Sequence, residues 1–200
     1  TGDITQGIAL AVTGTSSLVT SGQGATIDLT TTTNAFTGEL LITTNDNNTP
    51  ADGTYAAHAS IDGGITNLII GASTIDGNLT LLSGGTITDT ASSTVTVKGD
   101  LNVTTDANNS NITLDGLEVG GAYILDPHGT GIVTIVNAAG IDFVAMTVDG
   151  ALSATATTGN ITQSGALTIT GTSTLITSAN NATITLSNTS NAFAGAVTLS

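Results

Sequence analysis

The chain has 200 residues, of which 8% are charged and 2% are aromatic, and it carries 15 acidic residues against one basic residue. The resulting net charge of −14 at pH 7 repels nucleic acid and anionic membrane surfaces, so neither is an expected partner. Abundant Thr, Gly and Asn disfavour helices, and 39% apolar residues oppose disorder, which leaves β-strands. No apolar run approaches the ~20 residues of a membrane-spanning helix.

Short strands are predicted along the whole chain, because apolar residues alternate with polar ones at the strand period of two. Asp-Gly pairs at 62–63, 76–77, 115–116 and 149–150 predict turns between them. The alternating apolar pairs, in chain order, are Leu10 and Val12, Ile27 and Leu29, Leu79 and Leu81, Val95 and Val97, Leu101 and Val103, Ile112 and Leu114, Leu167 and Ile169, and Ile184 and Leu186.

Two segments interrupt this pattern. Residues 45–53 contain Pro50 and a cluster of Asn and Asp, which predicts a loop that leaves the regular structure. Residues 126–131, which contain Pro127, predict a second interruption of the same kind.

A long internal repeat organises the chain. Residues 1–43 recur at 158–200 with a constant offset of 157 positions and without a gap, so that Asn34-Ala35-Phe36 matches Asn191-Ala192-Phe193. Repeats of this kind are the signature of stacked architectures. We therefore expect residues 1–200 to form one continuous solenoid segment, with one repeat at 1–157, the start of the next at 158–200, and a longer tandem array in the natural protein.

The predicted fold class is all-β, a parallel β-helix, or β-solenoid. Such a coil stacks like residues above like, so that Ile, Val, Leu and Ala fill a narrow core in which large rings fit poorly, while Thr and Asn face solvent. A coil of about 20 residues gives roughly eight coils per repeat and a length on the order of 40 Å. A β-sandwich or a closed sheet is the alternative for many short strands.

The segment 158–173, Thr-Gly-Asn-Ile-Thr-Gln-Ser-Gly-Ala-Leu-Thr-Ile-Thr-Gly-Thr-Ser, resembles the repeats of filamentous-haemagglutinin-like giant adhesins, as do Ala182 to Leu186 and Asn191 to Gly195. These adhesins are exported by two-partner secretion or as autotransporter passengers. The resemblance implies a right-handed parallel β-helix that forms the structural shaft of a secreted adhesin or matrix filament, at the bacterial cell surface or in the extracellular matrix. The implied partners are neighbouring repeats, other copies of the fibre, surface glycans and cell-surface receptors.

Candidates for catalysis are few, and no catalytic residue or cofactor is predicted. His58 and His128 stand apart in the sequence beside loops, and Cys is absent. The alternative function is a polysaccharide-degrading β-helix, which needs two carboxylates across a cleft. Its candidate carboxylates are Asp100, Asp106, Asp115 and Glu118, and the only groups for sugar stacking or proton abstraction are Tyr55, Tyr123 and Lys98. The small number of candidate catalytic side chains favours a protein that is not an enzyme.

Calcium is the one metal that the sequence suggests. Asp46, Asn48 and Asp52 place hard oxygen ligands in one loop, and Ca²⁺ prefers such ligands. The EF-hand pattern is incomplete, since a Glu at its bidentate position is missing. Diffuse screening of the acidic surface by Ca²⁺ between neighbouring fibres is the alternative.

Overall fold

The computed structural model describes residues 2–46 and 56–200, and every regular element in these ranges is a β-strand. The strands in chain order are β1 (Ile4–Thr5), β2 (Ala11–Val12), β3 (Ser16–Val19), β4 (Ile27–Leu29), β5 (Ala35–Phe36), β6 (Glu39–Thr43), β7 (Ala59–Asp62), β8 (Leu68–Ile70), β9 (Ser73–Ile75), β10 (Leu79–Ser83), β11 (Ile87–Asp89), β12 (Val95–Val97), β13 (Leu101–Thr105), β14 (Ile112–Val119), β15 (Ala122–Asp126), β16 (Val133–Asn137), β17 (Ile141–Phe143), β18 (Met146–Val148), β19 (Leu152–Ala156), β20 (Ile161–Gln163), β21 (Leu167–Ile169), β22 (Ser173–Thr177), β23 (Ala192–Phe193) and β24 (Val197–Leu199).

These strands stack into parallel sheets that run the length of the molecule. The first sheet has eight strands in the order β1-β4-β7-β10-β13-β15-β17-β20, and the second sheet has eleven, from β3 to β24. A third face consists of two short sheets, β2-β5 and β18-β21-β23. All pairings between named strands are parallel and follow chain order, so the chain winds as a β-solenoid of about eight turns.

We number a coil from each strand of the first sheet, so that coils 1 to 8 begin at β1, β4, β7, β10, β13, β15, β17 and β20. Coil 9 carries β23 and β24, which pair with β21 and β22 of coil 8. At the first sheet the two coils meet through an isolated parallel bridge between Ile161 and Ile184. Paired residues such as Leu79 and Leu101 lie 22 positions apart. The coil from Ile27 to Ala59 is longer, at 32 positions, because it contains residues 47–55.

The core is a set of apolar ladders between the sheets. In the first sheet Leu79, Leu101 and Tyr123 stack in register and are fully buried, as are Val133 and Leu152 in the second sheet. Burying each such side chain contributes about 1.5–3 kcal/mol. The alternation of apolar and polar residues, and the parallel β-solenoid that it predicted, are therefore confirmed.

Large rings fit this core better than the sequence suggested. Tyr123 and Phe143 occupy successive rungs of the first sheet, both are fully buried, and their ring centroids lie 6.2 Å apart in an edge-to-face arrangement. The expectation that rings fit poorly is wrong at this position, because two neighbouring rungs each supply a ring and the rings pack on one another.

The cross-section changes along the axis. In coils 3 and 4 the second sheet contains two strands per coil, β8 with β9 and β11 with β12. In coil 5 one long strand, β14, pairs with both β11 and β12, and its register shifts between Leu114 and Leu117. The third face is formed at coils 1–2 and again at coils 7–9, so the middle coils differ in shape from both ends.

The two predicted interruptions have different outcomes. Residues 126–131 are an ordinary corner between β15 and β16, stacked on the corner below through hydrogen bonds from the Asn109 N–H to the His128 carbonyl and from the Thr130 N–H to Asn109 Oδ1. Interpreting them as a second excursion was wrong. The loop predicted at 45–53 lies outside the described residues except for Asn45 and Asp46. No helix long and apolar enough to cross a membrane occurs in residues 2–46 or 56–200.

Candidate functional site

Side chains at the corners of the coils tie each coil to the next. Asp3, Asn78, Asp100 and Asn160 precede strands of the first sheet, and the Oδ1 atom of each accepts a backbone N–H of the following coil, at 2.8–2.9 Å. Asp3 and Asn160 are the same position of the repeat. Either residue type serves there, because only a side-chain oxygen acceptor is needed.

A pair of amides forms a second tie, which we call the amide clamp: Gln6 with Asn34, and Gln163 with Asn191. Gln6 Nε2 donates to Asn34 Oδ1 at 2.8 Å, and Asn34 Nδ2 donates back to Gln6 Oε1 at 2.9 Å. The second pair makes the same two bonds, at 2.8 and 2.7 Å. Each clamp joins two coils and satisfies amide groups that would be costly to bury unpaired.

Close backbone contact requires glycine along one corner. Gly131, Gly150, Gly171 and Gly195 lie above one another, and a β-carbon on any of the last three would overlap the carbonyl oxygen of the glycine one coil below. Their spacing along the chain, 19 to 24 residues, follows the coil length. Glycine is needed here because neighbouring backbones approach too closely for any side chain.

The comparisons with known proteins bear on this coil-by-coil architecture. The model of the family described as "Repeats of unknown function (DUF5649)" matches residues 1–43, 56–125 and 130–200. The chain belongs to the DUF5649 repeat family. No curated protein and no solved structure gave a significant match. The segments that the DUF5649 match leaves out, 44–55 and 126–129, are the predicted excursion and the corner that contains Pro127.

The neck of the 47–55 segment of this DUF5649 chain is held by buried acids. Asp46 Oδ2 accepts the Ala56 N–H at 3.0 Å, and the Asp46 N–H donates to Asp76 Oδ2 at 3.0 Å. Asp76 also forms an ion pair with Lys98 at 2.8 Å. Both aspartates are buried, so charged hydrogen bonds fix the two described residues, Asp46 and Ala56, that flank the segment.

The calcium hypothesis falls mainly outside the described residues. Asn48 and Asp52 lie in the segment that the structure does not describe, and only Asp46 can be placed. Asp46 has one carboxylate oxygen bonded to the backbone of Ala56. Within the described ranges no three His, Asp or Glu side chains come together as metal ligands, and calcium binding at this loop stays a prediction.

The four candidate carboxylates of the enzymatic alternative have different neighbours. Asp100 Oδ1 accepts the Ala122 N–H, Asp106 is exposed and its charge acts on Asp62, Asp115 lies beside Asp89, and Glu118 accepts a long hydrogen bond from Thr96 at 3.5 Å. Asp115 therefore lies next to Asp89, and the charge of Asp106 acts on Asp62; neither partner was a candidate carboxylate in the sequence.

Asp89 holds the register shift of β14. Its two carboxylate oxygens accept the N–H groups of Asp115, at 3.1 Å, and Gly116, at 2.7 Å, in the coil above. Burial raises the pKa of Asp89 above that of an ordinary aspartate, opposed by these two hydrogen bonds and reinforced by the nearby Asp115 charge. Burial likewise raises the pKa of Asp62, whose Oδ1 accepts the Gly64 N–H. Both acids have backbone partners that explain their positions.

The two histidines, the two tyrosines and Lys98 were the remaining candidate groups, and the structure shows the contacts of most of them. His58 Nδ1 accepts the Asn78 N–H at 2.8 Å, whereas the His128 side chain is exposed and its backbone N–H donates to Thr105. Tyr123 is fully buried, and burial raises the pKa of its hydroxyl far above the ordinary value. Lys98 is paired with Asp76, and Tyr55 lies outside the described residues. The side chains of His58, Tyr123 and Lys98 are thus engaged in the fold.

Sequence reasoning missed the amide clamp, the glycine corner and the Asp89 contact. The clamp had a signal in the chain itself: Gln6 and Asn34 are unchanged in the second copy as Gln163 and Asn191, although several neighbouring residues differ. Asp89 had no such signal, because its role depends on a bulge in the next coil.

Proposed function

We propose that this chain is part of the structural shaft of a secreted bacterial adhesin or extracellular matrix filament that attaches cells to one another or to a surface. The observation that carries the proposal is the unbroken ladder of coils. Backbone hydrogen bonds, corner acceptors and two amide clamps join successive coils from coil 1 to coil 9.

A fold of this kind suits a shaft for a physical reason. Each coil contacts only its neighbours, so repeats add length without changing the core, and stability accumulates with length. Ile4 and Ile161, which are 157 positions apart, begin coils 1 and 8, so one repeat contains seven coils rather than the predicted eight. At about 4.8 Å per coil it spans roughly 34 Å. The resemblance of residues 158–173 to adhesin repeats supports the same function. The partners proposed are neighbouring repeats, surface glycans or cell-surface receptors.

The test is electron microscopy of producing cells labelled with an antibody raised against this chain. We expect gold label along thin filaments outside the cell, and no label on cells that lack the protein. Label confined to the cell interior, or a compact particle for the purified native protein, would contradict the proposal.

The proposal assigns no catalysis to the chain, and a separate experiment tests that part. Purified chain is incubated with neutral and acidic polysaccharides, and new reducing ends and unsaturated products are measured. We expect no release above the buffer control. The control is Asp28→Asn, which changes an exposed acid on the first sheet, whereas Asp115 lies on the second sheet. Cleavage that is lost in Asp115→Asn but retained in Asp28→Asn would establish the polysaccharide-degrading alternative.

A further inference from the structure

The outline of the solenoid changes between coils 6 and 7, at the end of the first sheet. β15 has five residues but β17 has three, and only Ala122 and Tyr123 of β15 pair with β17. Residues 124–126 therefore project beyond the strand stacked on them, and we call them the ledge. In coil 7 the chain instead turns at residues 144–145 into β18 of the third face.

A depression of about 340 Å³ lies between the ledge and the outer surface of the third face. This volume is at the lower end of the range for small-molecule sites. Ile124, Asp126, Met146, Thr147 and Thr168 line the depression together with two alanines, and Asp126 is the one ionisable residue among them. Ile124 is 38% exposed, so the ledge offers an apolar surface beside a carboxylate.

The Asp126 carboxylate is exposed and available to a ligand. Among the described residues no donor pairs with it, whereas Asp149 in coil 7 accepts a hydrogen bond from the Thr170 hydroxyl at 3.0 Å. The charge of Asp126 is therefore uncompensated within the described part of the chain. Since the whole chain has a net charge of −14, its field attracts a cation to this position and repels an anion.

The chemistry of the depression selects among surface glycans, which are partners in the function proposed above. Its lining contains no aromatic ring on which a neutral sugar would stack. Sugars that carry carboxylate or phosphate groups are repelled by Asp126. An amino sugar brings an ammonium group for the carboxylate, C–H groups for Ile124 and hydroxyl groups for the two threonines, so each part of it has a partner.

We propose that this depression binds a cationic amino sugar unit of a surface glycan. The ammonium group donates charge-assisted hydrogen bonds to the Asp126 carboxylate, the C–H face of the ring packs on Ile124, and the Thr147 hydroxyl bonds a sugar hydroxyl. A single exposed charge contact is weak, and a glycan that presents many such units to many copies is held more tightly by avidity. The assignment names the partner of the attachment function proposed above, and its biological meaning rests on that function.

The test is isothermal titration calorimetry of the purified chain at low ionic strength, with the glucosamine trimer as the probe and the N-acetylglucosamine trimer as its uncharged counterpart. We expect the glucosamine trimer to bind at least about tenfold more tightly than the acetylated trimer. Asp126→Asn removes the charge but keeps the shape, and should weaken binding of the glucosamine trimer at least about tenfold. The matched control is Asp28→Asn, an exposed acid of the first sheet in coil 2, which should leave the dissociation constant within about twofold.

Circular dichroism of each variant verifies that the solenoid is folded. Equal weakening by Asp126→Asn and Asp28→Asn would overturn the proposal, because the effect would then be one of net charge. It would also be overturned by no binding of the glucosamine trimer, by equally tight binding of the acetylated trimer, or by equally tight binding of trilysine, which has the charge without the sugar. Binding in solution does not depend on where the protein is located, so failure of this site and failure of the shaft proposal are distinguishable.

Discussion

The two copies of the repeated segment, residues 2–43 and 158–200, have closely similar sequences but different burial. In the lower coil of the second copy Ile161, Leu167 and Leu175 are fully buried, because coil 7 lies beneath them. Their counterparts in the first copy include Ile4 and Leu18, which are only partly buried. Position in the stack therefore matters as much as residue type.

The upper coils of the two copies show the reverse. Leu40 and Ile42 are fully buried in the first copy, whereas their counterparts Val197 and Leu199 are 43% and 55% exposed. In the first copy coil 3 continues the sheets above these residues. The comparison teaches that a residue in a solenoid stabilises the fold according to the coil stacked on it, as a nearest-neighbour description requires.

Truncating the same leucine in both copies should give the largest difference. Leu175→Ala removes a fully buried side chain, and we expect it to lower the free energy of unfolding by about 3 kcal/mol. Leu18→Ala, at the equivalent position in the first copy, should cost less than about half as much, since Leu18 already contacts solvent. Urea denaturation followed by circular dichroism measures both. Equal losses of unfolding free energy in the two variants would contradict the claim that the neighbouring coil sets the contribution of each leucine.

Replacing the equivalent glycine in each copy, Gly171 and Gly14, should give the next largest difference in stability. Gly171→Ala adds a β-carbon that overlaps the Gly150 carbonyl oxygen, and should destabilise the chain by about 1–3 kcal/mol. Gly14→Ala is the matched control, because no atom lies within 4 Å of the added β-carbon. The melting temperature should fall clearly in the first variant only. A fall of the same size for Gly14→Ala would show that glycine acts there by some other means.

The amide clamp sharpens the comparison further. Asn34 is buried and donates an additional hydrogen bond to the Asp62 carbonyl oxygen in coil 3 at 3.0 Å, whereas Asn191 lies in coil 9 and is partly exposed. We expect Asn34→Ala to cost about 2 kcal/mol and Asn191→Ala about 1 kcal/mol. Asn34→Asp should not rescue the loss, because a carboxylate cannot donate to the Leu29 and Asp62 carbonyl oxygens. Urea midpoints that rank the two Ala variants in the opposite order would contradict this explanation.

Asp89 lies in the middle coils, between the two copies of the repeated segment. Its protonation predicts a pH dependence of stability, which is the smallest expected effect. The pKa of Asp89 is higher in the folded chain than in the unfolded chain, so the folded state binds a proton more readily. Its ionised form therefore costs stability at neutral pH, and that cost disappears as the pH falls through the folded pKa towards the ordinary value. We expect the free energy of unfolding to rise slightly over this interval in the wild type, and to rise less in Asp89→Asn. A larger rise in the variant would contradict the assignment.

The fold was largely predictable because its signals are local and repeated. The alternation at Leu79 and Leu81, or at Leu101 and Val103, specifies strands, and the offset of 157 positions specifies stacking. The ring pair Tyr123 and Phe143 was not predictable, because only the register of neighbouring coils places one ring against the other. Pro127 predicts an interruption at 126–131, but the strands on either side, β15 and β16, stay in register with their neighbours, so the segment forms an ordinary corner.

The candidate site was less predictable than the fold. Corner residues such as Asn78 and Asp100 have turn-forming sequences, but their contacts lie 22 positions away in the next coil. The carboxylates Asp115 and Glu118 are close in sequence, yet the shift in β14 gives each a different neighbour. The contacts of these side chains therefore depend on inter-coil geometry that short motifs do not encode.

Amide hydrogen exchange, followed by mass spectrometry of peptides from both copies, tests the central claim most directly. The two lower coils, residues 4–18 and 161–175, are compared in one sample of the 200-residue chain. We expect exchange in 161–175 to be at least about tenfold slower, because coil 7 continues the sheets below it and opening there disrupts more of the stack. Equal exchange rates would contradict the claim that the neighbouring coil decides the stability of each repeat.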